Sequence, residues 1–291
     1  MEALRNKLPL GRVTWVRFRA TFSMTNLCAS VHSTLLSTII VGAYRTIVND
    51  SRISRIGLIQ GLTEGSLQTF VFLWSPALRT FSKSAPLGVL GLDKDGQPAY
   101  GLIFGAFMAC GVLGGFAEPT VRKAITRFTK TDEKTEVESS HDASIIGEED
   151  LKPVAVDFLC TMCYLTSALL FLIPCMLQND SPYSFSICFA SFLAYELMVG
   201  LYMPCEGVIR SIYMPNESIC SLMTMLRVIV NVAVALGVIS TNYIPFARAF
   251  LALSVMMVVA AILQISLVPK KELTRLFISF GKSRFAKEKV A

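Results

Sequence analysis

The stretch 154–177, VAVDFLCTMCYLTSALLFLIPCML, holds one charge, Asp157, in twenty-four residues. As a helix rising 1.5 Å per residue it is ~36 Å long, enough to cross ~30 Å of hydrocarbon. Lipid offers no water to satisfy backbone N–H and C=O groups, so a run of this kind is read as a helix. Five further apolar runs accompany it, at about Ile53 to Leu78, Tyr100 to Ala117, Tyr183 to Met203, Ser221 to Ser240 and Phe246 to Val268. The chain therefore reads as an all-α membrane protein with six spans. Its composition agrees: 53% of residues are hydrophobic and 16% are charged, against about 25% charged in soluble domains. That balance argues against soluble enzyme classes and against nucleic-acid binding.

Five zones follow from this patterning. Residues 51–118 hold spans one and two, 119–153 a polar cytosolic linker with TKTDEKTEVESSHD at its centre, and 154–268 spans three to six. Residues 269–291 form a basic tail suited to cytoplasmic headgroups. Residues 1–50 form a basic segment. Were Thr21 to Tyr44 to span, Arg5, Lys7, Arg12, Arg17 and Arg19 would lie outside, so the segment is read as interfacial. A targeting peptide and a non-native start stay open as alternatives for it.

Orientation follows from Lys and Arg. With the residues before span one in the cytosol, that side receives Arg45, Arg52, Arg55, six basic residues of the linker, Arg210 and seven of the tail. The opposite side receives only Arg79, Lys83, Lys94 and Arg248. The excess places both ends of the six-span unit inside.

Ionisable groups within spans are expensive in hydrocarbon, which makes them candidates for function. Gln60, Glu64 and Gln68 follow i, i+4, i+8 spacing and share one helical face. Span four carries Glu196 beside Tyr195, and span five carries Arg227 with Asn231 one turn later. Two readings compete for these charges: a polar path for a ligand, or interhelical pairs that only fix packing. Asp157 reads as interfacial. Gly101, Gly105 and Ala109 form a ridge of small residues that lets helix backbones approach.

Enzyme chemistry has little to work with. The two histidines, His32 and His141, lie outside the six spans, and no nucleophile elbow, zinc-protease or phosphate-loop motif is present. Cys160-x-x-Cys163 lacks a second ligand pair, so no metal or cofactor is expected. The other cysteines sit in or beside apolar runs, where the thiol acts as a small hydrophobe.

Particular strings carry a resemblance. IQGLTEGSLQTFVFLWSPAL (Ile59 to Leu78) resembles the seventh span of the molybdate-anion transporter family of the major facilitator superfamily. YGLIFGAFMACGVLGG (Tyr100 to Gly115) resembles its eighth, and YELMVGLYMPCEGVIRSIYMPNE (Tyr195 to Glu217) and LRVIVNV (Leu226 to Val232) its tenth and eleventh. The match carries over Gln60, Glu64, Phe72, Trp74, Pro76, Glu196, Gly200, Pro204, Arg210, Pro215, Arg227 and Asn231. The chain departs from the family at Ile212, Ile219 and Ile229, where basic residues and a proline are usual. The resemblance implies the C-terminal six-span half of a twelve-span carrier working by alternating access, in the plasma membrane. It implies a molybdate-like inorganic anion as substrate and, as partner, an N-terminal six-span half or a second copy. Gln60, Glu64, Gln68, Glu196, Arg227 and Asn231 would bind substrate or couple its movement. Arg227 would draw the oxyanion, and Glu64 or Glu196 would hold it in the empty state or carry a proton. The alternative is a truncated, non-transporting membrane protein whose charges pair structurally.

Overall fold

The computed structural model describes residues 50–137, 151–178, 180–214, 219–241 and 244–268, with isolated positions at 42, 45 and 49. Six helices lie over the six apolar runs. They are α1 (Ser51–Ser82), α2 (Tyr100–Val137), α3 (Leu151–Met176), α4 (Ser184–Tyr213), α5 (Ile219–Thr241) and α6 (Phe246–Ile265). Among the described residues the β pairing is one isolated bridge, Leu92 to Pro98. The interfacial segment, the centre of the linker with His141, Pro215 and the basic tail lie outside the described residues.

Local signals set the helix ends. The Asp50 side chain accepts the Arg52 backbone N–H at 2.8 Å and caps α1. Between α1 and α2, Asp93 Oδ1 accepts from the N–H groups of Asp95 and Gln97, and Gly96 takes φ 74°, a left-handed conformation glycine adopts without strain. Pro245 stands at the start of α6, where its missing N–H costs nothing. Helix α2 continues to Val137, well into the segment read as linker. An i,i+4 pair, Glu118 Oε1 to Arg122 Nε at 2.8 Å, lies across Pro119 and supports that continuation.

Four helices contain a stretch long and apolar enough to cross a membrane: Tyr100–Thr126 of α2, Val154–Met176 of α3, Ser184–Tyr213 of α4 and Phe246–Ile265 of α6. The protein is thus an all-α membrane protein. Helix α1 carries Gln60, Glu64 and Gln68 along its apolar run, and α5 adds a shorter apolar stretch, Cys220–Val232, among the described residues.

Helix α3 packs on α4 and α6, α1 on α4, α5 and α6, and α2 chiefly on α4. The shared core has two layers. Phe70, Phe107, Phe171, Phe192, Tyr195 and Phe250 interlock in one, with ring centroids 4.3 Å apart for Phe171–Tyr195 and 5.4 Å for Phe192–Phe250. Two helical turns along α1 and α3, or about 10 Å, lies a polar layer around Thr63 and Tyr164.

Helix α2 approaches α4 through glycines, though not the ones expected. A Cβ on Gly101 or Gly105 would meet no neighbouring element within 4 Å among the described residues, and Ala109 is exposed with them. The close crossing is at Gly111, Gly114 and Gly200 instead. A Cβ on Gly200 would collide with the Gly111 carbonyl and stand 3.0 Å from Gly114 Cα. The expected ridge therefore lies on the outward face of α2, beside Leu102, Phe104, Met108 and Val112.

Candidate functional site

The stripe on α1 enters the protein obliquely. Gln60 is buried, Glu64 is half-buried and Gln68 is exposed. Gln60 Nε2 donates to Glu64 Oε1 at 2.8 Å, while Gln60 Oε1 is buried with no hydrogen-bond donor among the described residues. Gly57, Gly61, Glu64 and Gln68 share one helical face, and α5 packs against its two glycines through Leu226 and Val230.

Arg227 and Asn231 lie on the other side of α5, both exposed. Among the described residues Arg227 makes no ion pair, so the expected contact with Glu64 or Glu196 is not formed. The reason is geometric: α5 turns Leu222, Leu226 and Val230 toward α1, which carries Arg227 outward. Glu196 is buried where α4 crosses α2. Its Oε2 stands 4.0 Å from the place a Cβ on Gly111 would take, and no hydrogen bond to it is formed among the described residues. The six sequence-derived candidates thus divide into Gln60 with Glu64 and Gln68 on α1, Glu196 at the α2–α4 crossing, and Arg227 with Asn231 on the outer face of α5.

The sequence reading passed over Glu206. Its Oε1 accepts two hydrogen bonds, from Thr63 Oγ1 of α1 at 2.9 Å and from Tyr164 OH of α3 at 2.8 Å. Its Oε2 faces Arg210 Nη1 at 3.6 Å. Ile56, Ile59, Gln60, Glu206, Ile209, Arg210 and Gln264 line one small pocket. The overlooked signal is Glu206-x-x-x-Arg210, an i,i+4 pair. It fell outside the run ending near Met203, but α4 carries on to Tyr213.

Asp157, expected at the interface, is buried within the protein near the start of α3. It is 1% exposed, accepting from Gln264 Nε2 of α6 at 2.8 Å and from Tyr213 OH of α4 at 3.4 Å. Glu118 accepts from Cys205 Sγ at 3.3 Å besides holding Arg122. Cys160 and Cys163 are buried free thiols, and no group of three metal-ligating side chains occurs among the described residues.

Residues 24–137 match a major facilitator family described as sugar transporters with twelve transmembrane segments. A molybdate-anion transporter of Takifugu rubripes is 24% identical over 245 residues, covering 83% of this chain and 40% of that protein. Molybdate-anion transporters of Xenopus tropicalis and Xenopus laevis are each 24% identical over 195 residues, covering 67% of this chain and 34% of theirs. The chain therefore spans less than half the length of these curated relatives. No solved structure matches it. The matches are to transporters rather than enzymes, and by them the chain resembles the molybdate-anion transporter family of the major facilitator superfamily.

Proposed function

We propose that this chain is the C-terminal six-span half of an oxyanion carrier in the plasma membrane, moving molybdate or a like tetrahedral dianion by alternating access. The observation that carries the reading is Arg227, a cation in an apolar helix that is exposed and makes no ion pair among the described residues. A charge facing lipid is costly, so such a residue belongs toward a water-filled path or a partner. A guanidinium suits an oxyanion, since it stays charged and presents several donors in a plane. Asn231, one turn on, adds hydrogen-bonding capacity on the same face.

In this reading a second six-span unit covers the outward faces of α2 and α5, as substrate sites of such carriers lie between two repeats near the midplane. The unmatched remainder of the relatives leaves room for an N-terminal half, and a second copy is the other candidate. The structural-pairing alternative accounts for Glu206 with Arg210 and for Gln60 with Glu64. It leaves Arg227 unexplained.

The test is molybdate accumulation, measured by mass spectrometry, in cells expressing this chain alone and together with the N-terminal six spans of a molybdate-anion transporter. Accumulation that needs both pieces supports the reading. Accumulation at the level of cells lacking both overturns it.

A further inference from the structure

Glu206 is a carboxylate that Arg227-centred anion binding does not use, yet it joins α1, α3 and α4. Its two oxygens differ. Oε1 is satisfied by Thr63 and Tyr164, while among the described residues Oε2 has only Arg210 at 3.6 Å, too long for a hydrogen bond. Across the same pocket Gln60, 2% exposed, turns its amide hydrogen toward Glu64 and leaves Oε1 without a donor among the described residues. Two oxygens lining one small pocket, Gln60 Oε1 fully buried and Glu206 Oε2 at its lining, thus each lack a donor within hydrogen-bond distance among the described residues, and a single proton between them serves both. A hard metal cation fits less well, because it gathers six or more oxygen ligands and would sit beside the Arg210 guanidinium.

We propose that Glu206 is a proton-binding site of this protein, taking one proton on Oε2 and donating it in a hydrogen bond to Gln60 Oε1, and that this step is coupled to anion movement. The proton comes from water, the only bond formed is O–H, and release to the opposite side reverses it. Protonation removes the charge that Arg210 faces. Arg210 remains a cation, and its partly exposed side chain becomes free to meet an incoming anion. A dianion that moves with one proton carries one charge fewer across the membrane potential. The coupling rests on the oxyanion reading, whereas the proton site does not.

The groups around Glu206 set the balance. Glu64 on α1 opposes a second negative charge, and Arg210 on α4 favours it. Tyr164 meets it from α3 with Cys160 one turn away, and Tyr202 packs edge-on against Tyr164 from α4. Helix α6 presents uncharged Gln264, and the Glu118–Arg122 pair of α2 lies beyond Cys205.

Infrared difference spectra of the purified 291-residue chain in lipid nanodiscs, recorded as pH is stepped, test the site. A protonated-carboxyl carbonyl band is expected that Glu206→Gln abolishes. Tyr164→Phe should move the midpoint of that band to higher pH, since a hydrogen bond to the ionised form favours that form. Gln60→Leu should move it lower, because the protonated form loses its acceptor. A band unchanged by Glu206→Gln overturns the proposal. Should Glu206→Gln fail to fold, unmoved midpoints in both other variants overturn it. Molybdate accumulation separates the two readings. A titrating Glu206 without Arg227-dependent accumulation removes the oxyanion reading and the coupling while leaving the proton site. Accumulation unaffected by Glu206→Gln and by pH removes the coupling alone.

Discussion

Gln264 of α6 gives its Nε2 hydrogen to Asp157 Oδ1 of α3 across 2.8 Å, and both side chains are 1% exposed. The pair ties the last helix of the bundle to the third at its polar end. Tyr213 completes the contact from α4 at 3.4 Å, near the outer limit of a hydrogen bond.

Gln264→Leu should therefore lower stability by about 1–3 kcal/mol, the cost of leaving a buried acceptor unsatisfied. Adding Asp157→Leu should recover part of that loss, since replacing both partners by apolar groups is closer to neutral. Denaturant unfolding in detergent micelles measures both. Equal stability of Gln264→Leu and the parent chain would contradict a buried hydrogen bond here.

Glycine positions on α2 and α4 should differ sharply in tolerance. Gly200→Ala drives a methyl into the Gly111 carbonyl and should cost about 1–3 kcal/mol through overpacking. Gly101→Ala and Gly105→Ala meet nothing within 4 Å and should be neutral in the isolated chain. Thermal unfolding of the three variants ranks them. A Gly200→Ala protein as stable as the parent would place the α2–α4 crossing elsewhere.

Arg227→Ala breaks no ion pair among the described residues, so the protein should fold and reach the membrane at parental levels. Molybdate accumulation by the two-piece assembly should nevertheless be lost. Arg227→Lys keeps the charge without the planar fork and should lose less. Parental accumulation by Arg227→Ala would remove this residue from the substrate path.

The orientation can be read with thiol reagents once the eight native cysteines are replaced. Leu87, exposed in the α1–α2 connection, should react as cysteine with an impermeant reagent applied to intact cells. Arg52, at the other end of α1, should react as cysteine only after the membrane is opened. The reverse pattern would invert the topology drawn from Lys and Arg.

The six helices and their starts near Ile53, Tyr100, Val154, Tyr183, Ser221 and Phe246 were legible in the chain alone, whereas the ends of α2 and α4 lie 20 and 10 residues beyond the apolar runs. A helix in lipid satisfies its own backbone, so an apolar run of sufficient length announces it. The Gln60, Glu64 and Gln68 face was legible for a similar reason, as helical periodicity places i and i+4 together whatever the helix packs against. Which polar groups meet was not legible. Glu206, Thr63 and Tyr164 are separated by 42 residues or more, and their hydrogen bonds exist only because α1, α3 and α4 converge at one depth. The packing of α6 and α4 on α3 likewise buried Asp157 beneath Gln264. The packing of α2 on α4 put Gly114 and Gly200, rather than Gly101 and Gly105, at the helix crossing. Periodicity gives each helix its faces, but the packing of neighbours decides which face is covered, and that depends on crossing positions no single helix encodes.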